Sequence, residues 1–199
     1  MKIILVGANG DIGRAAFAEL STRHEIISVG RNSGDIQVDI SDRSSIEQMY
    51  CSTGQIDAVI STAGEVHFGP LTEFTEDQFM LGLQNKVMGQ VNLVLVGLKY
   101  INDGGSFTLT SGVLDRDPIK MGTGAATANG ALGGFAVGAA IELPRGLRIN
   151  VVSPGVLAVS ENRYGAFFPG HERVPSDRVG RAFAKSVEGA CTGQVIIVE

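Results

Sequence analysis

The stretch Lys2-Ile3-Ile4-Leu5-Val6-Gly7-Ala8-Asn9-Gly10-Asp11-Ile12-Gly13 decides the fold. Lys2 to Val6 is aliphatic almost throughout, the pattern of a strand covered on both faces. The glycine-spaced turn Gly7 to Gly13 follows at once. Ile12, Ala15, Ala16 and Leu20 then recur at helical core spacing from about Asp11. A strand that runs through a glycine turn directly into a helix opens a βαβ unit. Glycine permits the tight turn and a close main-chain approach, while the helix N-terminus offers free N–H groups and positive dipole. These are the requirements of a pyrophosphate site. Gly7, Asn9, Gly10, Asp11, Ile12 and Gly13 are therefore candidate ligands of a dinucleotide, in the context that such a motif needs on both sides.

Outward from this unit the alternation continues. Strands are expected at residues 25–29, 36–38, 57–61, 105–110, 147–152 and 194–198. Helices are expected between them: one after the cap candidate Ser41 to about residue 50, and one from the capping-box pattern Thr75-Glu76-Asp77-Gln78 to about residue 100. Two more fall at 125–143, stopping at Pro144, and from Pro175-Ser176-Asp177 to about 188. This predicts an α/β fold, a single doubly wound Rossmann-type domain over residues 1–199. Its parallel sheet has about seven strands, with helices on both faces. One connection is anomalous. Only residues 30–35 separate the second and third strands, whereas a parallel crossover usually takes a dozen or more. Either the third strand is very short or the crossover lacks its helix.

Bulk properties exclude several classes of function. The 199 residues are 44% hydrophobic and 19% charged, with a net charge of -5, so no basic surface points to nucleic acid or an anionic membrane. Cys51 and Cys191, like His24, His67 and His171, lack metal-ligand spacing, so no metal site is expected and the thiols read as reduced and cytoplasmic. The apolar run before Gly7 is too short for a signal peptide, and residues 91–98 are too few to span a bilayer.

The end of the second strand bears on the cofactor. An acidic residue there would bind the ribose 2′-hydroxyl of NAD, but the chain has Gly30-Arg31-Asn32-Ser33. Arg31 can fork onto a 2′-phosphate with Ser33 adding a donor, which favours NADP over NAD. The alternative is a solvated turn arginine. Asp35 would oppose a phosphate if it faced the same way.

With these residues in view, nearly the whole chain resembles the short-chain dehydrogenase/reductase family. Asp39-Ile40 is similar to the family's adenine-contacting pair, and Ser61-Thr62-Ala63-Gly64 to its Asn-Asn-Ala-Gly turn beside the cofactor. Leu109-Thr110-Ser111 matches the strand end carrying the catalytic serine. The run from Arg148 to Ser153, with Pro154, Gly155 and Val156, matches the strand and turn that flank the nicotinamide. The resemblance implies cofactor contacts at Asp39, Ile40, Ser61, Ala63, Gly64, Pro154, Gly155 and Val156.

The family's Tyr-x-x-x-Lys pair is where the likeness fails. Alignment puts Ala125 at the tyrosine and Asn129 at the lysine, and alanine has no proton to give. The family's helix asparagine aligns with Lys86. The two polar positions are thus exchanged, and Lys86, Asn129 and Ser111 form the candidate catalytic set. Lys86 restores an ammonium near the nicotinamide ribose on this reading; the alternative is a surface lysine. A bound water and Tyr164 are other candidate donors, and His67 reads as a surface residue. The segment 160–174 corresponds to the family's substrate-covering region. The small-residue helix 125–143, with helix 75–100, implies a homodimer or homotetramer. The implied activity is NADP-dependent oxidation or reduction of a small carbonyl or alcohol. The competing reading is a catalytically silent sensor or scaffold that binds NADP(H).

Overall fold

A computed structural model describes residues 1–199. Its strands are β1 (Lys2–Val6), β2 (Glu25–Gly30), β3 (Ile36–Gln37), β4 (Ile56–Ser61), β5 (Ile101–Thr110), β6 (Arg148–Pro154) and β7 (Val195–Val198). All pair in parallel, in the order β3-β2-β1-β4-β5-β6-β7. The direction of winding therefore reverses between β1 and β4, the crevice where doubly wound sheets bind their ligands.

Alternation along β1 explains the two layers. Ile4 and Val6 face a core built with α2 (Arg43–Thr53), α4 (Gly89–Gly97) and α5 (Thr123–Ala140), where Tyr50, Leu93 and Leu132 are buried. Ile3 and Leu5 face the opposite core, against α1 (Asp11–Leu20) and α7 (Ser176–Glu188), with Leu20 and Phe183. Each fully buried aliphatic side chain contributes about 1.5–3 kcal/mol. A register slip of one residue in β1 would exchange the two sets.

The anomalous connection has both features that the sequence left as alternatives. β3 has two residues, and no helix crosses between β2 and β3. Asp35 takes the place of further strand. Its carboxylate accepts from Ser28 N at 2.8 Å and Ser28 Oγ at 2.7 Å, while its own N–H donates to Ser28 O at 2.8 Å. This carboxylate is occupied at the edge of β2.

Other expectations are corrected in detail. Asp42, not Ser41, caps α2 by accepting from Ser44 N at 2.9 Å, because the Ser41 hydroxyl donates to Asp39 Oδ1. β5 starts at Ile101 because Ile101 pairs with Ile56 ahead of a register shift. α5 begins two residues before the expected start and ends at Ala140, three before the expected end. The long helix expected from 75 to 100 is broken into α3 (Glu76–Gly82), a π-helical stretch Leu83–Met88, and α4. Its capping box is formed by Gln78 N donating to Thr75 Oγ1 at 3.3 Å and Thr75 N to Gln78 Oε1 at 3.0 Å.

Candidate active site and dinucleotide cleft

The glycine turn lies at the C-terminal end of β1, between two clefts. Gly10 is the N-cap of α1, and no side chain caps the helix. Its first-turn N–H groups are left for a ligand, which suits an anion. Gly13 makes the turn tight: a Cβ there would lie 2.1 Å from Gly7 O, a main-chain atom. Thr62 holds the turn from the β4 side, its hydroxyl 3.0 Å from both Val6 O and Gly7 O. Asn9 Nδ2 donates to Ser33 Oγ at 2.8 Å, tying the turn to the end of β2. The Asp11 side chain points to another part of the protein. It accepts from Ser160 Oγ at 2.5 Å and pairs with Arg163, both in the segment around α6 (Glu161–Tyr164), and these contacts hold its pKa below the usual aspartate value.

On the β2 side, a cleft of about 340 Å³ is lined by Gly7, Arg31, Ile40, Ala63, Gly64 and Glu65, among others. Arg31 is half-exposed, 3.6 Å from Asp39 Oδ1 and 3.9 Å from Glu65 Oε2. Asp39 is fixed more firmly, since Ser41 N and Ser41 Oγ donate to it at 2.9 and 2.6 Å; these bonds, ahead of Arg31, lower its pKa. Ser61 is fully buried below the cleft, and its carbonyl accepts from Thr110 Oγ1 at 2.6 Å.

On the other side, a cavity of about 410 Å³ runs from Gly10, Asp11 and Ile12 past Lys86 and Ser111 to Pro154, Gly155 and Val156. Lys86 sits in the π-helical stretch, whose wider turn adds a residue and rotates the later side chains about the helix axis. Its stem packs on the β4 turn so closely that a Cβ on Gly64 would lie 2.6 Å from Lys86 Cγ, and Gly64 also holds φ +150°. The amine donates to Asn129 Oδ1 at 2.7 Å and to Ser111 O at 3.2 Å, and Asn129 Nδ2 donates to Gly112 O at 3.2 Å. Burial pulls the ammonium down to about 8, against a smaller upward pull from the Asp115 carboxylate. Ser111 Oγ is buried and has no hydrogen-bond partner.

Lys86, Ser111 and Asn129 are thus brought together, although they lie on three elements. Ala125 lines the same cavity with its methyl group. Tyr164 stands at the mouth, 48% exposed, with the Arg163 guanidinium over its ring. His67 packs edge-on against Phe74 and does not line the cavity. From the segment 160–174, Phe168 is buried in the wall and Phe167 is exposed.

Sequence reasoning misses four contributors. Gln90 is fully buried and clamps Thr110, accepting from its N–H at 2.9 Å and donating to its carbonyl at 3.0 Å, which fixes the strand end carrying Ser111. Asn85 accepts from Glu65 N at 2.8 Å. Thr62 and Glu65 are the other two, each adjacent to a residue that the motifs single out. Only Thr62 has a local signal, as a hydroxyl directly after the strand.

The site accommodates a nicotinamide dinucleotide: an uncapped helix start faces the glycine turn, and an unpartnered serine hydroxyl lies where the cavity continues. No three His, Cys, Asp or Glu side chains converge as metal ligands would. No helix is long and apolar enough to cross a membrane.

Comparison with known proteins agrees with this geometry. The protein lin1944 from Listeria innocua, a solved structure, is 49% identical with a TM-score of 0.99, each chain covering 100% of the other. A small-chain dehydrogenase solved in complex with NADPH is 25% identical with a TM-score of 0.87, covering 100% of this chain and 96% of that one. An uncharacterized oxidoreductase of Methylorubrum extorquens is 29% identical over 154 residues, which are 74% of this chain but only 61% of that protein's length. The oxidoreductase YmfI of Bacillus subtilis is 25% identical over 202 residues, covering 88% of this chain and 82% of its own. The family model described as Enoyl-(Acyl carrier protein) reductase matches residues 2–186. With the match running from β1 into α7, the chain belongs to the short-chain dehydrogenase/reductase family.

Proposed function

We propose that the protein is an NADP(H)-dependent oxidoreductase acting on a small carbonyl or alcohol, with Lys86, Ser111 and Asn129 handling the proton. One observation carries the reading. The buried amine has two fixed acceptors, Asn129 Oδ1 and Ser111 O, and lines a cavity beside an unpartnered serine hydroxyl. An ammonium has three protons, so one remains for the cavity. After giving it to a substrate oxygen, the neutral amine still donates to both acceptors, and no internal hydrogen bond is lost. Ser111 Oγ has no internal partner and would bond the same oxygen on turning toward the cavity. A pKa near 8 lets Lys86 act as acid or base close to neutrality. The bound nicotinamide supplies or accepts the hydride.

Main-chain N–H groups from Asp11 to Gly13 would hold the pyrophosphate, with Gly7, Asn9 and Gly10 shaping the turn, where Gly10 N donates to Gly7 O at 3.0 Å. Arg31 and Ser33 would meet a 2′-phosphate. Asp39, Ile40, Ser61, Ala63 and Gly64 would frame the adenosine half, and Pro154, Gly155 and Val156 the nicotinamide. The NADPH-bound relative supports NADP over NAD. Val66, Val113, Leu114, Leu157 and Phe168 give the wall an apolar stretch, and Asp11 and Arg163 on the same wall are paired with each other, which suits a small neutral substrate. Two unpaired cysteines suit a reducing, cytoplasmic setting. Leu95, Val137 and Ile141, exposed on and just after the helices α4 and α5, suit a homodimer or homotetramer.

The test is a titration with NADPH and NADH, followed by a carbonyl screen for NADPH oxidation, with Ser111→Ala alongside. Tighter NADPH binding, turnover of a carbonyl compound, and loss of most activity in Ser111→Ala at unchanged affinity are expected. NADPH binding without turnover across the screen would leave the silent-sensor reading in its place.

A further inference from the structure

We infer that Glu65 sets the preference of the β2-side cleft between the phosphorylated and unphosphorylated dinucleotide. This rests on the reading that the dinucleotide's adenosine end lies at Arg31. Arg31 is the cation of that cleft, and its nitrogens stand 3.6 Å from Asp39 and 3.9 Å from Glu65. Both separations exceed hydrogen-bond length. The guanidinium is held between two carboxylates by their field and not by a fixed fork. Counted together, the three side chains carry one net negative charge.

The two carboxylates are not equivalent. Asp39 is anchored by two donors from Ser41. The Glu65 carboxylate accepts no hydrogen bond and is 59% exposed, while its backbone is pinned where Asn85 Oδ1 accepts from Glu65 N at 2.8 Å. Its main-chain position is therefore set, and nothing neutralises its charge except Arg31.

A dianionic phosphate entering at Arg31 meets attraction from one guanidinium and repulsion from both carboxylates. A ribose hydroxyl carries no charge and can donate to a carboxylate. Glu65 therefore penalises the phosphorylated dinucleotide selectively and holds Arg31 aside when the unphosphorylated one is bound. Removing its charge should improve NADPH affinity by about fourfold at low salt, for charges roughly 8 Å apart in water. NADH affinity should change less than about twofold, because its ribose presents no charge to the carboxylate.

The experiment compares the parent, Glu65→Gln and the double variant Glu65→Gln/Arg31→Met by calorimetric titration with NADPH, NADH, 2′,5′-ADP and AMP. Each is run at low and high salt. Expected are tighter binding of NADPH and 2′,5′-ADP in Glu65→Gln, no matching gain for NADH and AMP, fading of the gain at high salt, and its loss in the double variant. An unchanged NADPH-to-NADH ratio, an equal gain for both, or weaker NADPH binding overturns the role of Glu65 while leaving the dinucleotide site standing. If the parent binds neither dinucleotide, the site itself falls, and this assignment with it.

Discussion

Replacing Lys86 by methionine puts the buried amine to a thermodynamic test that needs no substrate. The ammonium falls from the lysine value of 10.5 to about 8 on burial. Each pKa unit corresponds to about 1.4 kcal/mol, so at neutral pH, where both folded and unfolded chains hold the proton, the fold carries a penalty of about 3 kcal/mol. Between pH 8 and 10.5 the unfolded chain keeps the proton and the folded chain releases it, so the unfolded state binds more protons and stability rises with pH. Methionine has a similar length and no charge, which removes the penalty at every pH. It also leaves Asn129 Oδ1 and Ser111 O without the donor they have now, a loss of about 1–3 kcal/mol each.

At pH 7 these effects largely offset each other, and Lys86→Met should lie within about 3 kcal/mol of the parent. At pH 10 most of the parent's penalty has gone while the variant's lost hydrogen bonds remain. The gap between them should therefore open by about 2–3 kcal/mol in favour of the parent, or roughly 5–10 °C in Tm. Urea unfolding of both proteins from pH 7 to pH 10 reads the difference directly, since every other titrating group is common to the two. A gap that stays constant across that range would mean that the amine is not desolvated, and the proton-handling role would lose its basis.

Gly13→Ala places a Cβ 2.1 Å from the Gly7 carbonyl, so the turn must shift; calorimetry should show NADPH affinity lower by about tenfold or more, and a melt should show a loss of about 2 kcal/mol, whereas parent-like binding would exclude the turn as the pyrophosphate site. In the direction of carbonyl reduction kcat should fall as pH rises through about 8, and in the direction of alcohol oxidation it should rise through the same value; profiles flat from about pH 6 to 10 in both directions would remove Lys86 as the proton donor.

What was legible in the sequence is what neighbouring residues decide. The capping box at Thr75 and Gln78, the glycine turn into α1 and the unbroken aliphatic run of β1 each depend on contacts within about four residues or on simple pattern. The same local logic reads the 30–35 connection as anomalous but does not choose its cause, because the ladder is extended by a carboxylate that only the folded edge brings to Ser28. Gln90 was illegible for a stronger reason. A glutamine inside an apolar helical run carries no sign that its amide will face a strand end twenty residues away. Glu65 and Arg31 meet only because β2 and β4 both flank β1.

The break in the long helix belongs to the same class, and it links fold to chemistry. An uninterrupted α-helix over residues 76–97 would turn Lys86 by the regular increment of about 100° per residue, whereas the π-helical stretch adds a residue to the turn at that point. Its stem then lies against Gly64, where any Cβ would strike it, and its amine reaches across to Asn129 on α5. The charge thus enters the cavity from the helix facing β4, while Ala125 on α5 offers only a methyl group. The volume that a phenol would fill at position 125 stays open, and under the proposed function the proton would come from the opposite wall. Exchanging the polar residues between these helices therefore moves both the donor and the free space, so a tyrosine restored at Ala125 alone would occupy the substrate's side of the cavity and gain no lysine to activate it.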